Sequence, residues 1–140
     1  MKGLCIWRKE KTMGKNPPKL LLADDESHIR TMMKAVVKTM GYELAGEAAN
    51  GLEAVDRFRS LRPDITLLDI NMPVKTGLEA LKEIMTLDPS ACVIMLTSLS
   101  DRETIEECLA LGASNYIRKD TPMAQIKTLI AETWEDFQEE

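Results

Sequence analysis

Histidine and cysteine are scarce in this chain, long apolar runs are missing, and positive charge is outweighed. His28 stands alone, and the three cysteines, Cys5, Cys92 and Cys108, are odd in number and widely spaced. Neither a disulfide framework nor a nitrogen–sulfur zinc site is therefore suggested. Cys92 and Cys108 are expected as reduced thiols filling core, and His28 as an exposed residue in the first turn of a helix. No apolar run approaches the roughly 20 residues that cross a bilayer. Leu4-Cys5-Ile6-Trp7 is too short for the apolar stretch of a secretory signal, so a cytoplasmic protein is expected. The 18 lysines and arginines face 23 acids, a formal net charge of -5, which argues against nonspecific nucleic-acid binding because that depends on neutralising phosphates.

What is present is an ordinary globular composition, 44% hydrophobic and 29% charged over 140 residues, and this predicts one domain. The charge is uneven. Lys2, Arg8, Lys9, Lys11, Lys15 and Lys19 oppose only Glu10 at the start, whereas Glu132, Glu135, Asp136, Glu139 and Glu140 crowd the end. Residues 1–18 are expected as a flexible, solvated tail, with Met13-Gly14 a second candidate start of translation, and residues 19–140 as the folded domain.

Along that domain short apolar runs alternate with helical periodicity, which predicts five βα units and a parallel sheet. Ile29, Met32, Met33, Val36, Val37 and Met40 are spaced for one helix face, and Gly41 supplies a left-handed stop. Glu43 to Ala49 reads as a weaker strand. Asn50 with Glu53, Thr76 with Glu79 and Ser100 with Glu103 have the spacing of helix N-caps. The helices they open are expected to bury Val55 and Phe58; then Leu78, Leu81, Ile84 and Met85; then Ile105, Cys108 and Leu109. Asp88-Pro89 and Gly112 close the last two. A final helix is predicted from Thr121 as N-cap and Pro122 as first helical residue, with Ile126, Leu129, Ile130, Trp134 and Phe137 on one face. Right-handed crossovers then give a doubly wound, five-stranded parallel sheet between two helix layers, a three-layer α/β sandwich.

The ends of the apolar runs carry the chemistry. Lys19-Leu20-Leu21-Leu22-Ala23 stops at Asp24 and Asp25, and Ile65-Thr66-Leu67-Leu68 stops at Asp69. Cys92-Val93-Ile94-Met95-Leu96 stops at Thr97, and Asn115-Tyr116-Ile117-Arg118 stops at Lys119. In an open parallel sheet the carboxyl ends of the strands form the ligand crevice, at the point where strand order reverses. Three carboxylates gathered there repel, and a divalent cation removes the conflict. An all-oxygen site with open positions suits Mg²⁺, which keeps waters and accepts phosphate oxygens. With Lys119 and Thr97 able to hold phosphoryl oxygens, Asp69 is placed as an attacking carboxylate. Acids at strand ends also serve as helix caps, which explains any one of them better than it explains all.

Taken together, Leu20-Leu21-Leu22-Ala23-Asp24-Asp25-Glu26, Leu67-Leu68-Asp69-Ile70-Asn71-Met72-Pro73 with Gly77, Leu96-Thr97-Ser98 and Gly112-Ala113-Ser114-Asn115-Tyr116-Ile117-Arg118-Lys119 resemble the receiver domain of the two-component response regulators. In layout the chain is similar to the stand-alone, single-domain chemotaxis regulator, from about Lys19 to the end. The resemblance implies a flavodoxin-like sheet in the order 2-1-3-4-5 and a signalling domain, not an enzyme, that assists its own phosphorylation and dephosphorylation. It implies that Asp69 accepts a phosphoryl group from a sensor histidine kinase or phosphotransfer protein. Asp24, Asp25, Asp69 and the backbone carbonyl of Asn71 would then bind Mg²⁺, Thr97 and Lys119 would hold the phosphoryl group, and Ser98 would keep the pocket mouth small. Thr97 and Tyr116 would form the switch, and the fourth helix, fifth strand and fifth helix would present the altered surface to an unknown downstream protein. Leu99 would tune access of hydrolytic water.

One departure is visible. Lys119 is followed by Asp120-Thr121-Pro122 where the family usually has proline next, commonly cis; a non-proline cis bond costs about 2.5–4 kcal/mol, so a trans loop and an Asp120–Lys119 pair are expected. Two rival readings remain, a receiver-like interaction module working without phosphorylation and a Mg²⁺-dependent aspartyl-phosphate phosphatase. The phosphatase needs a second acid two residues after its nucleophile, where Asn71 stands and cannot transfer a proton. A flavin carrier of the same architecture is disfavoured by Asp24-Asp25-Glu26, which repels phosphate unless metal intervenes.

Overall fold

The computed structural model describes residues 17–98 and 102–139. Ten elements alternate: β1 (Lys19–Ala23), α1 (Ser27–Thr39), β2 (Glu43–Ala48), α2 (Gly51–Leu61), β3 (Ile65–Asp69), α3 (Gly77–Leu87), β4 (Cys92–Thr97), α4 (Arg102–Ala110), β5 (Asn115–Arg118) and α5 (Met123–Glu139). The strands form one parallel sheet in the order β2-β1-β3-β4-β5. The doubly wound sheet expected from the alternation is therefore the fold observed, in the flavodoxin-like strand order that the resemblance implies.

Strand pleating sends successive side chains to opposite faces, and because helices cover both faces the central strands are apolar throughout. Leu21, Ala23, Leu68, Val93 and Met95 pack under α2, α3 and α4 with Val55, Phe58, Leu81, Ile84, Ile105 and Cys108. Leu20, Leu22, Ile65, Leu67, Ile94 and Ile117 pack under α1 and α5 with Met33, Val36, Ile126, Ile130 and Trp134. Burial of these side chains against both sheet faces, at about 25 cal/mol per Å² of apolar surface, is the main force holding the three layers together.

Local signals set the element boundaries. Asn50 Oδ1 accepts the N–H of Glu53 at 2.9 Å to start α2, and Thr76 with Glu79 forms a complete capping box for α3. Gly41 has φ +78° just past α1, where the chain reverses into β2. Cys92 and Cys108 are buried and form no disulfide, and His28 is exposed.

The structure departs from expectation at three points. The carbonyl of Pro122 accepts the N–H groups of Gln125 and Ile126, so Pro122 caps α5 and the helix begins one residue later than predicted. Leu109 is 40% exposed; α4 lies on the sheet through Ile105 and Cys108 alone, and Leu109 falls on the flank of that narrow stripe. Asp120 pairs with Arg118, at 3.0 and 2.9 Å, and not with Lys119, because Lys119 turns into the pocket while Arg118 and Asp120 both face solvent. No described peptide bond is cis, so the Lys119–Asp120 bond is trans. The expected tail up to Asn16, the Ser100 cap and Leu99 lie outside the described residues.

Candidate functional site: an acidic pocket at the carboxyl ends of the strands

β1 and β3 are hydrogen-bonded neighbours, paired from Leu20–Ile65 to Ala23–Leu68, so the residues that follow them emerge side by side. Asp24 and Asp69 are buried and Asp25 is exposed, and one carboxylate oxygen from each lies within 4.8 Å of the others. The next strand over places Leu96 opposite Asp69, with Thr97 one residue beyond, buried. The N–H of Lys119 donates to the Thr97 carbonyl at 2.8 Å, which draws the end of β5 toward the same crevice. All five strand-end residues expected in the pocket therefore sit at its rim. Ser98 is exposed beside them, Asn71 lies in the loop after β3 with its N–H 3.4 Å from Asp69 Oδ1, and Tyr116 on β5 is 39% exposed.

Lys119 is the pocket's cation. Its ammonium is 2.7 Å from Asp24 Oδ2, 3.2 Å from Asp69 Oδ1 and 3.1 Å from Glu26 Oε1. Burial alone pulls a lysine pKa down; the carboxylates of Asp24, Asp69 and Glu26 outweigh it and hold the ammonium above its ordinary value. One ammonium does not balance the acids. Burial first, then the Asp24 charge, pushes Asp69 up to about 7, although Lys119 acts the other way. Asp24 Oδ2 meets the Lys119 ammonium, and Asp69 Oδ2 is buried without a hydrogen-bond partner. Buried carboxylate oxygens left in that state cost free energy, and native proteins keep few of them. Hard oxygen donors converging with unspent charge fit a small divalent cation, with Asp25 at the solvent side leaving room for waters.

Two glycines hold the loop that follows β3. A Cβ on Gly77 would lie 1.9 Å from the carbonyl oxygen of Asp69, and the Gly77 N–H donates to Ile70 O at 2.8 Å. A Cβ on Gly51 would lie 2.1 Å from Lys75 O, which accepts the Gly51 N–H at 3.0 Å. The starts of α2 and α3 thus close on this loop at backbone contact, and any side chain at either position pushes it off. The sequence motif includes Gly77 without showing this reason for it, and Gly51 leaves no local signal at all, since its partner lies on another loop. Arg30 is a pocket neighbour that sequence patterns likewise miss; its Nη1 donates to the Asp24 carbonyl at 2.8 Å.

Known proteins resemble this chain in sequence and fold. Residues 20–131 match the response regulator receiver domain. Chemotaxis protein CheY of Thermotoga maritima is 41% identical over 107 residues, covering 76% of this chain and 87% of that protein. Its counterpart in Listeria monocytogenes is 46% identical over 101 residues, 72% of this chain and 85% of the relative. In structure, the chain resembles one from the CheX–CheY–BeF3–Mg²⁺ complex of Borrelia burgdorferi, with a TM-score of 0.82, 29% identity, and coverage of 85% and 90% of the two chains. A chain with this sheet order, these acids at these strand ends and a family match over most of its length belongs to the response regulator receiver domains of two-component signalling.

Proposed function

We propose that this protein is a CheY-like receiver that accepts a phosphoryl group on Asp69 in a Mg²⁺-dependent reaction and signals by changing its protein-binding surface. The observation that carries the proposal is the cluster of Asp24, Asp25 and Asp69, with the Lys119 ammonium against Asp24 and Asp69 and the buried Asp69 Oδ2 left without a partner.

In this reading Asp24, Asp25, Asp69 and the Asn71 carbonyl hold Mg²⁺, which when bound supplies positive charge to the phosphoryl oxygens. Asp69 Oδ1 faces Lys119 and the Asn71 N–H, which leaves Oδ2 to attack. A new oxygen–phosphorus bond forms at Oδ2 as the nitrogen–phosphorus bond of a donor phosphohistidine breaks, and the electron pair returns to the imidazole. The donor belongs to a partner, a sensor kinase or phosphotransfer protein. Lys119 moves with the charge from carboxylate to phosphoryl oxygen, and the Thr97 hydroxyl donates to a second oxygen. Tyr116 then follows Thr97, and α4, β5 and α5 present the altered face to a downstream protein. The work is done in the cytoplasm and needs no nucleic acid; among the described residues no helix is long and apolar enough to cross a membrane.

Acetyl phosphate with Mg²⁺ is expected to add one phosphate to the intact mass, and beryllofluoride to bind only with Mg²⁺ present. Asp69→Asn abolishes both. A variant that still gains phosphate while the wild type does not would overturn the assignment.

A further inference from the structure

Asp24 is held by more than its own strand. Its N–H donates to Ala48 O on β2 at 3.0 Å, its Oδ1 accepts the N–H of Glu26 at 2.8 Å, and its carbonyl accepts Arg30 Nη1 at 2.8 Å. Only Oδ2 is left facing the pocket. Arg30 rises from the first turn of α1 with its side chain 22% exposed, and its Nε is fixed at 3.2 Å by Glu47 Oε1 on the edge strand. The other oxygen of Glu47 takes Lys34 at 3.1 Å, and the Glu47 carbonyl takes Arg57 Nε from α2 at 2.8 Å. The guanidinium therefore bridges a braced position on β2 to the peptide that joins Asp24 to Asp25.

We propose that Arg30, braced by Glu47, is a positioning residue for divalent-cation binding. It fixes the plane of the Asp24–Asp25 peptide, and with it the directions from which both carboxylates approach the ion. The inference rests on reading the acidic cluster as a metal site, and it deepens that reading: metal affinity depends on a bridge whose members are not ligands. Outer groups of this kind, which orient ligands without touching the metal, commonly change affinity by roughly 10–100-fold when removed.

Charge and position act here with opposite sign. As a cation beside three acids, Arg30 repels a divalent ion, so deleting its charge alone tightens binding. As an anchor it orders the ligands, so deleting it weakens binding. The direction of the change therefore separates the two roles.

The test is Mn²⁺ titration of the full chain, reading free ion by electron paramagnetic resonance, with Mg²⁺ competition. Arg30→Met is expected to weaken binding roughly tenfold. Glu47→Gln is expected to weaken it severalfold, and the double variant no further than Arg30→Met alone, because both act along one path. Lys38→Met, which removes a positive charge from the last turn of the same helix, is expected to stay within about twofold of wild type. Arg30→Met binding as tightly as wild type, or tighter, overturns the positioning role; so does Lys38→Met losing as much as Arg30→Met. Should Arg30→Met fail to fold by circular dichroism, Glu47→Gln decides the same question, and unchanged affinity there is the overturning result. A wild type that binds no Mn²⁺ overturns the metal reading itself, an outcome distinct from variants that match a binding wild type.

Discussion

Thr66 and Asp69 stand three residues apart on β3, 1% and 2% exposed, and each carries a buried oxygen without a hydrogen-bond partner. In Thr66 the oxygen is a neutral hydroxyl inside the sheet, an isolated cost that the surrounding apolar packing absorbs. In Asp69 it is part of a carboxylate set against Asp24 and Asp25, a cost repeated by its neighbours and focused on one crevice. The interior of the strand shows how much polar burial a well-packed core tolerates. Its end shows a place where the fold holds charge against its own stability, and that is the mark of a site waiting for a ligand.

The largest effect expected from breaking this contrast comes at Gly77. Gly77→Ala forces a methyl against the Asp69 carbonyl, a backbone atom that cannot swing aside, at a cost of about 3 kcal/mol. Leu67→Ala, at a fully buried position of the same strand, costs about as much through its cavity. Urea unfolding is expected to rank the two variants together. Mn²⁺ affinity separates them: Gly77→Ala displaces Asp69 and loses most of its binding, whereas Leu67→Ala retains it. Equal affinities would mean that the close approach of Gly77 does not orient the carboxylate.

Next in size is the charge itself. Asp69→Asn removes a buried carboxylate from among like charges and is expected to stabilise the metal-free protein by about 1–3 kcal/mol, even as it abolishes phosphoryl acceptance. The same group sets a pH dependence. Its folded pKa, about 7, lies above the ordinary aspartate value of 3.8, so between those values the folded state binds more protons than the unfolded state. Stability therefore falls as pH rises through this window and levels off above it. In metal-free buffer, urea midpoints of the wild type are expected to rise as pH is lowered from about 8 to about 5.5, and Asp69→Asn is expected to lose that slope. Saturating Mg²⁺, which favours the ionised form, flattens it too. A wild-type slope of the opposite sign would show that Asp69 is not the group held protonated.

Much of this architecture is legible in the order of the residues alone. Short apolar runs between helical periodicities mark the five βα units because the sheet is buried on both faces, and Asn50 and Thr76 mark helix starts because their partners lie three residues away. The strand-end residues Asp24, Asp69, Thr97 and Lys119 are readable for a related reason: in a parallel sheet the end of each apolar run is the rim of the crevice. What escapes depends on contacts between distant segments. Gly51 meets Lys75, Arg30 meets Asp24 and Glu47, and no periodicity encodes either. Asp120 misleads because adjacency in sequence favours Lys119, whereas in the turn after β5 Lys119 points into the pocket and Arg118 shares the solvent side with Asp120. Leu109 misleads because the stripe by which α4 meets the sheet is narrower than its run of apolar residues.

The smallest effect expected is at Thr66, and it is the sharpest control. Thr66→Val keeps the shape and the β-branched stem that suit a strand while removing the unpartnered hydroxyl, and it is expected to stabilise the protein by about 1 kcal/mol. Residues three apart on a strand are about 10 Å apart, so Thr66→Val and Asp69→Asn are expected to add, within about 0.5 kcal/mol, in urea unfolding of the metal-free double variant. Only the second touches the chemistry: Thr66→Val leaves Mn²⁺ affinity and acetyl phosphate labelling at wild-type values. If Thr66→Val changed metal affinity, the strand interior and its acidic end would be one coupled unit, and the division between a core that tolerates an orphan oxygen and a rim that exploits one would fail.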